Sequence, residues 1–251
     1  MRFISQTSSD GVSERLFTLG DVPGVLWTPD GAPEPRPLVL LGHGGGQHKK
    51  APGILARAHR FVTRLGLAVA ALDAPAHGAR PRVEQDERAI AEIRERRATG
   101  EPVGPAVARY NAHLATRAVP EWRAVLDALH ETCGFDGPVG YWGVSMGTAI
   151  GVPLVAAEPR ITAAVLGLFG HEFLAEAAAR VSVPVQFLLQ WDDELLPRAS
   201  TLALFDALGS REKTLHANTG GHMEVPAFEL DAAEHFFARH LGVERAPAAA
   251  S

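Results

Sequence analysis

A serine stands at the centre of residues 143–147, which read Gly-Val-Ser-Met-Gly and match the pattern G-x-S-x-G. The short apolar run 138–142 before it predicts a buried strand, and the small apolar residues 148–157 after it predict a helix packed closely on a sheet. A serine on such a strand-to-helix turn holds its hydroxyl clear of the sheet, where the helix N-terminus favours developing negative charge. The pattern therefore predicts a nucleophilic Ser145, although glycine and serine are common enough here for it to arise by chance.

A serine hydroxyl is a poor nucleophile at neutral pH, so it needs a base, and the base needs an orienting carboxylate. Later in the chain an aspartate, Asp192 or Asp193, follows a predicted strand. His222 then follows two glycines and precedes an amphipathic helix, which makes it the favoured base. The order nucleophile, acid, histidine is one in which serine triads occur.

The elements that would position these residues follow from the hydrophobic pattern. Residues 13–19 and 22–28 predict an antiparallel hairpin. Apolar runs predict further strands at 38–41, 67–72, 138–142, 161–169, 183–190 and 213–216. Amphipathic or Ala-rich segments predict helices at 52–66, 120–131, 172–180, 199–208 and 226–241. Strands that alternate with helices predict an α/β fold, a mostly parallel sheet with helices on both faces.

In a sheet of this kind, ligands bind beyond the carboxyl ends of the strands. Four sequence clusters fall at such ends: residues 43–46 (His-Gly-Gly-Gly), Ser145, the pair Asp192 and Asp193, and His222. Chance would scatter such clusters over helices and strand starts as well. Their common placement therefore supports one shared site.

Residues 81–119 interrupt the alternation of strands and helices. Charged residues of alternating sign recur at intervals of four, which indicates an exposed helix with a thin apolar face, and a second helical run covers 106–118. The segment is too short to have its own core. We therefore predict a single domain over residues 1–251 that carries a helical cap at about 81–119.

The composition excludes several classes of protein. The chain has 251 residues and is 46% hydrophobic, enough for a sizeable core. Its net charge of −5 argues against nucleic acid as a partner, because phosphates require a basic surplus. Cys133 is the only cysteine, so an intrachain disulfide or a thiolate metal cluster cannot form. No apolar run has the length of a signal peptide or a membrane span, which predicts a cytoplasmic protein without a membrane partner. The sequence does not indicate the oligomeric state.

From about Leu38 to Leu241 the chain resembles the α/β-hydrolase family. The resemblance rests on His-Gly-Gly-Gly, Asp-x-x-x-His-Gly, Gly-x-Ser-x-Gly, Asp-Glu-Leu-Leu-Pro and Gly-Gly-His, each after a predicted strand. It implies that Ser145 is the nucleophile and His222 the general base. The acid of the family commonly lies four residues before the proline of a segment like 193–197, which favours Asp193 over Asp192. The size is similar to that of dienelactone-hydrolase-like proteins and small bacterial carboxylesterases. Dienelactone hydrolases have a cysteine nucleophile, so their substrate is not carried over.

The resemblance also implies an oxyanion hole of two backbone N–H groups. One belongs to Met146, directly after the nucleophile, and the other to Gly44 or Gly45. Glycine at these positions lets the substrate oxygen approach the backbone.

No metal and no cofactor are expected, because a serine triad needs neither. His43, His48, Asp73 and His77 could be combined into a metal site, but the resemblance implies that Asp73 and His77 are turn residues without a metal, and His43 is better explained as orienting its loop.

The expected activity is the hydrolysis of a small-molecule carboxylic ester through an acyl-enzyme intermediate. Trp191 adjoins a predicted site loop and His171 follows a strand end, so both are candidates for the substrate pocket, although an ordinary loop histidine explains His171 better. Thioester, lactone or amide hydrolysis would use the same triad. A binding protein that retains a hydrolase pocket for recognition is the alternative outside enzymes.

Overall fold

A computed structural model of the chain describes residues 1–31 and 36–245. Its strands are β1 (Arg2–Ser9), β2 (Val12–Leu19), β3 (Val22–Pro29), β4 (Leu38–Gly42), β5 (Ala68–Leu72), β6 (Val139–Gly143), β7 (Ile161–Gly167), β8 (Val185–Gln190) and β9 (Lys213–Asn218). Its helices are α1 (Pro52–Leu65), α2 (Glu84–Thr99), α3 (Gly104–Cys133), α4 (Met146–Ala157), α5 (Ala175–Arg180), α6 (Arg198–Ala207) and α7 (Phe228–Leu241).

The strands form one sheet in the order β1-β2-β3-β5-β4-β6-β7-β8-β9. The first three strands are antiparallel, β3 pairs antiparallel with β5, and all pairs from β5 to β9 are parallel. The carboxyl ends of six strands therefore lie at one edge of the sheet. The strand order reverses around β4, between β5 and β6, which is where such sheets open a crevice for ligands.

The core lies on both faces of this sheet. Tyr141 and Phe187 belong to the cluster on one face, and Phe61 of α1 packs with Phe237 of α7 on the other. Every residue of β4, β5 and β6 is buried, as expected for parallel strands covered on both sides. The predicted fold class is confirmed. Within the described residues, no helix combines the length and apolarity that crossing a bilayer requires.

Two elements differ from the sequence prediction. Strand β1 was not predicted, because most of its residues are polar and all of them except Phe3 are exposed. It lies at the sheet edge and is held by backbone pairing with β2. The second difference is that 106–118 and 120–131 are not separate helices, because α3 runs through Pro120 without ending. Buried side chains on both sides of the proline, such as Leu114 and Trp122, hold the two halves in line.

Asp86 joins the two helical parts of the segment 81–119 to each other. This carboxylate is the buried residue of α2, and it accepts hydrogen bonds from Arg117, the Tyr110 hydroxyl and the Val83 N–H. The first two donors belong to α3, so the carboxylate joins the two helices. Between these two helices, Gly104 at the start of α3 adjoins the Leu195 carbonyl in the loop after β8.

Candidate active site

Ser145 occupies a strained turn between β6 and α4. Its backbone has φ 57° and ψ −122°, a conformation that costs a non-glycine residue about 1–3 kcal/mol. The Ser145 N–H donates a 3.0 Å hydrogen bond to the Gly167 carbonyl at the end of β7. The surrounding sheet and helix therefore hold a conformation that an isolated turn would not adopt.

The two glycines of the motif are required by close contacts. A Cβ at Gly147 would lie 2.6 Å from the carbonyl oxygen of Gly42, and a Cβ at Gly143 would lie 2.9 Å from the carbonyl of Gly147. These contacts bring the carboxyl end of β4 directly against the turn. The loop 43–46 therefore begins beside Ser145.

Two buried hydroxyls support the turn. The Tyr141 hydroxyl donates a 2.6 Å hydrogen bond to the Gly147 carbonyl, and burial raises the pKa of this phenol. The Thr148 hydroxyl lies within 2.8 Å of the Gly143 carbonyl and accepts a 2.8 Å hydrogen bond from the Gly167 N–H. Neither residue was singled out from the sequence, where a tyrosine in a strand and a threonine in a helix are typical core residues.

The structure brings Ser145, His222 and Asp193 together. His222 Nε2 lies 3.0 Å from the Ser145 Oγ, and His222 Nδ1 lies 2.7 Å from Asp193 Oδ2. The second oxygen of Asp193 accepts the N–H groups of Leu195 and Leu196 at 2.8 and 3.0 Å. Burial acts to raise the pKa of Asp193, but the hydrogen bond and charge of His222 and these two amides bring it below its usual value. An ionised Asp193 keeps the proton on Nδ1, so Nε2 is left to accept from the serine.

The adjacent aspartate has a different contact. Asp192 Oδ2 accepts a 3.1 Å hydrogen bond from the Gly220 N–H, and the Asp192 N–H donates to the Gly220 carbonyl at 3.2 Å. Asp192 thus holds the loop that carries His222 and does not contact its imidazole. The structure separates two residues that the sequence left as alternatives.

The first turn of α4 leaves one backbone donor beside Ser145. The N–H groups of Gly147, Thr148 and Ala149 donate to the carbonyls of Val144 and Ser145. The Met146 N–H makes no such bond within the described residues, and as the first amide of a helix it has no acceptor one turn earlier. It is therefore available to an oxygen atom bound outside the turn.

His43 anchors the glycine loop that follows β4. Its Nδ1 donates to the Gly44 carbonyl at 2.9 Å, and its Nε2 accepts the Ala74 N–H at 3.0 Å. Both bonds are satisfied by one neutral tautomer, and burial lowers the pKa of His43 to about 4. The ring thus ties the loop after β4 to the loop after β5. A Cβ at Gly45 would meet no described atom within 4 Å, so this glycine borders open space.

Asp73 and His77 belong to the turn after β5. The Asp73 carboxylate accepts the Lys49 N–H at 2.9 Å, the Lys49 Nζ at 2.6 Å and the Ala79 N–H at 3.0 Å. Gly78 has φ 59°, and a Cβ there would lie 2.2 Å from the Asp73 carboxyl carbon. Within residues 1–31 and 36–245, no three His, Cys, Asp or Glu side chains are arranged to hold a metal ion.

Trp191 lies at the surface two residues before Asp193, and His171 lies at the surface in the loop after β7. The Trp191 side chain is 47% exposed, and the Arg198 guanidinium lies 4.1 Å from its ring centre. His171 is exposed, and its backbone N–H donates to Ser200 in α6. Neither side chain hydrogen-bonds to the triad in the described residues. A cavity of about 200 Å³ lies at the opposite edge of the sheet, beside Leu38 and Val139 at the strand starts.

No protein-family model and no curated protein matches the chain. Among solved structures, it is similar to a cold-adapted esterase from an Arctic intertidal metagenomic library, with 36% identity over 96% of this chain and 100% of that chain and a TM-score of 0.77. An acetyl xylan esterase from Paenibacillus sp. R4 shares the fold at 15% identity, covering 96% of this chain and 88% of its own, with a TM-score of 0.66. TT1662 from Thermus thermophilus shares it at 19% identity, covering 97% and 100%, with a TM-score of 0.68.

The first of these likenesses combines more than a third of identical residues with full coverage of the other chain. It confirms the resemblance that the motifs indicated. The chain belongs to the α/β-hydrolase family and is one of its carboxylic ester hydrolases.

Proposed function

We propose that the protein hydrolyses a small-molecule carboxylic ester through an acyl-enzyme intermediate on Ser145. His222 serves as general base and general acid, and Asp193 orients its imidazole. The observation that carries the proposal is the continuous hydrogen-bonded chain from Asp193 Oδ2 through both ring nitrogens of His222 to the Ser145 Oγ.

In the proposed acylation step, the Ser145 Oγ attacks the acyl carbon while its proton passes to His222 Nε2. The tetrahedral intermediate collapses as the ester carbon–oxygen bond breaks, and the leaving alcohol takes the proton from His222. In deacylation, a water molecule gives a proton to His222 and attacks the acyl-enzyme. The acid product leaves and the proton returns to Ser145, so these steps use neither a metal ion nor a cofactor.

The Met146 N–H and the N–H of Gly44 or Gly45 form the proposed oxyanion hole. Support comes from the unused amide of Met146 and from the contact of β4 with the serine turn, which starts the glycine loop beside Ser145. One such donor typically contributes about 3 kcal/mol to transition-state stabilisation. The ground-state carbonyl, which carries less negative charge, gains less from the same donors.

The substrate is proposed to enter between the cap at 81–119 and the rim that carries Trp191 and His171. Support for the cap comes from the contact of Gly104 with the Leu195 carbonyl, two residues after Asp193. Trp191 offers a large apolar surface to a substrate at that rim. Esters are the proposed substrate class, and thioesters, lactones and amides are tested beside them.

The test uses p-nitrophenyl acetate and a fluorophosphonate probe on the purified protein and on Ser145→Ala. We expect ester cleavage and a single phosphonylated peptide that contains Ser145, both lost in the variant. Matched thioester, lactone and anilide substrates assign the preferred bond. A wild-type protein that leaves all these substrates intact and Ser145 unlabelled would contradict the proposal. A variant that retains its full biological effect would indicate a binding protein instead.

A further inference from the structure

The backbone N–H of His222 and those of the two residues before it each donate a hydrogen bond to a carboxylate. The amides of residues 220, 221 and 222 reach their acceptors at 3.1, 2.8 and 2.9 Å. The acceptors, in that order, are Asp192, Glu224 and Glu194. Two of the three come from the loop after β8, which also supplies Asp193. This loop therefore holds the histidine loop by several separate bonds.

Glu194 is the carboxylate that reaches His222 itself. Its Oε2 accepts the His222 backbone N–H at 2.9 Å, while the preceding residue, Asp193, holds the ring at Nδ1 at 2.7 Å. Asp193 and Glu194 thus bind the imidazole and the backbone N–H of the same histidine. The His222 amide lowers the pKa of Glu194, so the acceptor stays ionised.

The histidine loop needs such a restraint because regular structure does not supply one. His222 lies between the end of β9 at Asn218 and the start of α7 at Phe228, outside the hydrogen bonds of both. Gly220 before it has φ 109°, a conformation that side chains rarely adopt. The glycines give the backbone freedom to turn, and this freedom would also let the imidazole move away from Ser145.

We propose that Glu194 is a positioning residue that fixes the backbone of His222 so that its Nε2 stays within reach of the Ser145 hydroxyl. This inference rests on the proposed role of His222 as general base. A displacement of about 1 Å in a catalytic group lowers rates by up to about 100-fold, so a single backbone bond at this residue controls turnover. Glu194 is exposed and outside the core, so its removal affects position more than folding.

The experiment compares Glu194→Ala, Glu194→Gln and Glu224→Ala with the wild-type chain on p-nitrophenyl acetate. In Glu194→Ala we expect kcat to fall about tenfold, KM to stay within about twofold, and phosphonylation of Ser145 to slow by the same factor as kcat. Glu194→Gln retains an oxygen that accepts the amide, so it recovers most of the loss. Glu224→Ala removes the matched acceptor one residue away, and we expect a smaller loss. Thermal unfolding shows whether each variant is folded.

Three results would overturn the inference: a kcat unchanged in Glu194→Ala, a loss no larger than that of Glu224→Ala, or a Gln variant as slow as the Ala variant. If Glu194→Ala does not fold, Glu194→Asp serves in its place, because its carboxylate is one methylene too short for the amide. A wild-type chain that neither cleaves the ester nor reacts at Ser145 is a separate outcome, since it refutes the proposed function itself.

Discussion

The hydroxyl of Tyr141 lies 2.6 Å from the carbonyl oxygen of Gly147, to which it donates, and so connects the strand before Ser145 to the helix after it. The ring fills space that two glycines leave open, because a Cβ at Gly42 or at Gly151 would lie 2.2 Å from an atom of Tyr141. The serine turn thus rests on a buried polar contact.

Tyr141→Phe removes this hydroxyl without leaving a large cavity. The Gly147 carbonyl then loses this donor and keeps only the α4 amide four residues later, and a hydrogen bond of this kind contributes about 0.5–1.5 kcal/mol to stability. We expect a loss of that size in urea unfolding and a severalfold lower kcat, because the turn loses a restraint. Tyr110→Phe removes a hydroxyl that contacts Asp86 in the cap. It is expected to cost stability and leave kcat within about twofold, and equal kcat values for the two variants would contradict the role of Tyr141.

Two Asp→Asn substitutions, at positions 192 and 193, test which aspartate orients the base. Asp193→Asn is expected to lower kcat by about 10³–10⁴-fold, because an amide in place of the carboxylate favours the wrong tautomer of the histidine. Asp192→Asn keeps an oxygen for the Gly220 N–H, so its loss is expected to be under about tenfold. The reverse ranking of the two kcat values would show that Asp193 is not the triad acid.

Gly45→Ala probes the glycine loop. No described atom lies within 4 Å of the added methyl, so the thermal unfolding temperature is expected to stay the same. We expect kcat to fall at least tenfold, since the methyl occupies space that the substrate carbonyl needs in order to reach the backbone. An unchanged kcat would indicate that the second oxyanion donor does not lie in this part of the loop.

His43 makes the stability of the protein depend on pH. Its pKa is about 4 when folded, against about 6.5 in an unfolded chain, so the unfolded state binds more protons between these values. The contribution of neutral His43 is complete above pH 6.5 and is lost as the pH falls towards 4, with a maximum slope of about 1.4 kcal/mol per pH unit.

Urea unfolding of the wild type and His43→Gln between pH 7 and 4 measures this slope. We expect the variant to be less stable at pH 7 and to show a shallower decrease on acidification. His77, whose pKa burial also lowers, contributes to the slope in both proteins. Parallel curves for the two proteins would exclude His43 as a source of the dependence.

Arg117→Ala tests the buried ion pair that joins α2 to α3. Asp86 has 0% side-chain exposure, so removing the 2.6 Å contact with Arg117 leaves a buried charge with fewer partners. We expect a loss of about 2–3 kcal/mol in the free energy of unfolding. Arg88→Ala breaks a pair with Glu84 whose side chains are 72% and 82% exposed, and its expected cost is under about 0.5 kcal/mol. Equal losses would mean that the buried pair does not stabilise the packing of α2 on α3.

Much of the site could be predicted because it depends on strand order. Parallel strands end at one edge of a sheet, so residues that follow different strands converge without any further information. Asp192 and Asp193 could not be separated in this way from the residues themselves. Both follow β8, and which one faces His222 depends on the path of the loop, where Asp193 also accepts the amides of Leu195 and Leu196.

Contacts between side chains and backbone groups far away in the chain could not be predicted from the sequence. The Thr148 hydroxyl donates a hydrogen bond to the Gly167 carbonyl, 19 residues later in the chain. Nothing in the local sequence pattern distinguishes Thr148 from an ordinary small residue of a helix. Strand β1 was not predicted either. Its mostly polar residues show no apolar alternation, and the strand forms because its backbone pairs with β2.

Ser145 and His222 are 77 residues apart in the chain, although their side chains lie in contact. The residues of the serine turn, its glycines and the β4 loop are all synthesised well before those of β9. A nascent chain on the ribosome therefore carries Ser145 long before it carries His222. If the proposed function holds, we expect hydrolytic activity to appear only after the segment that follows β9, which carries His222, has been synthesised and has folded beside Ser145.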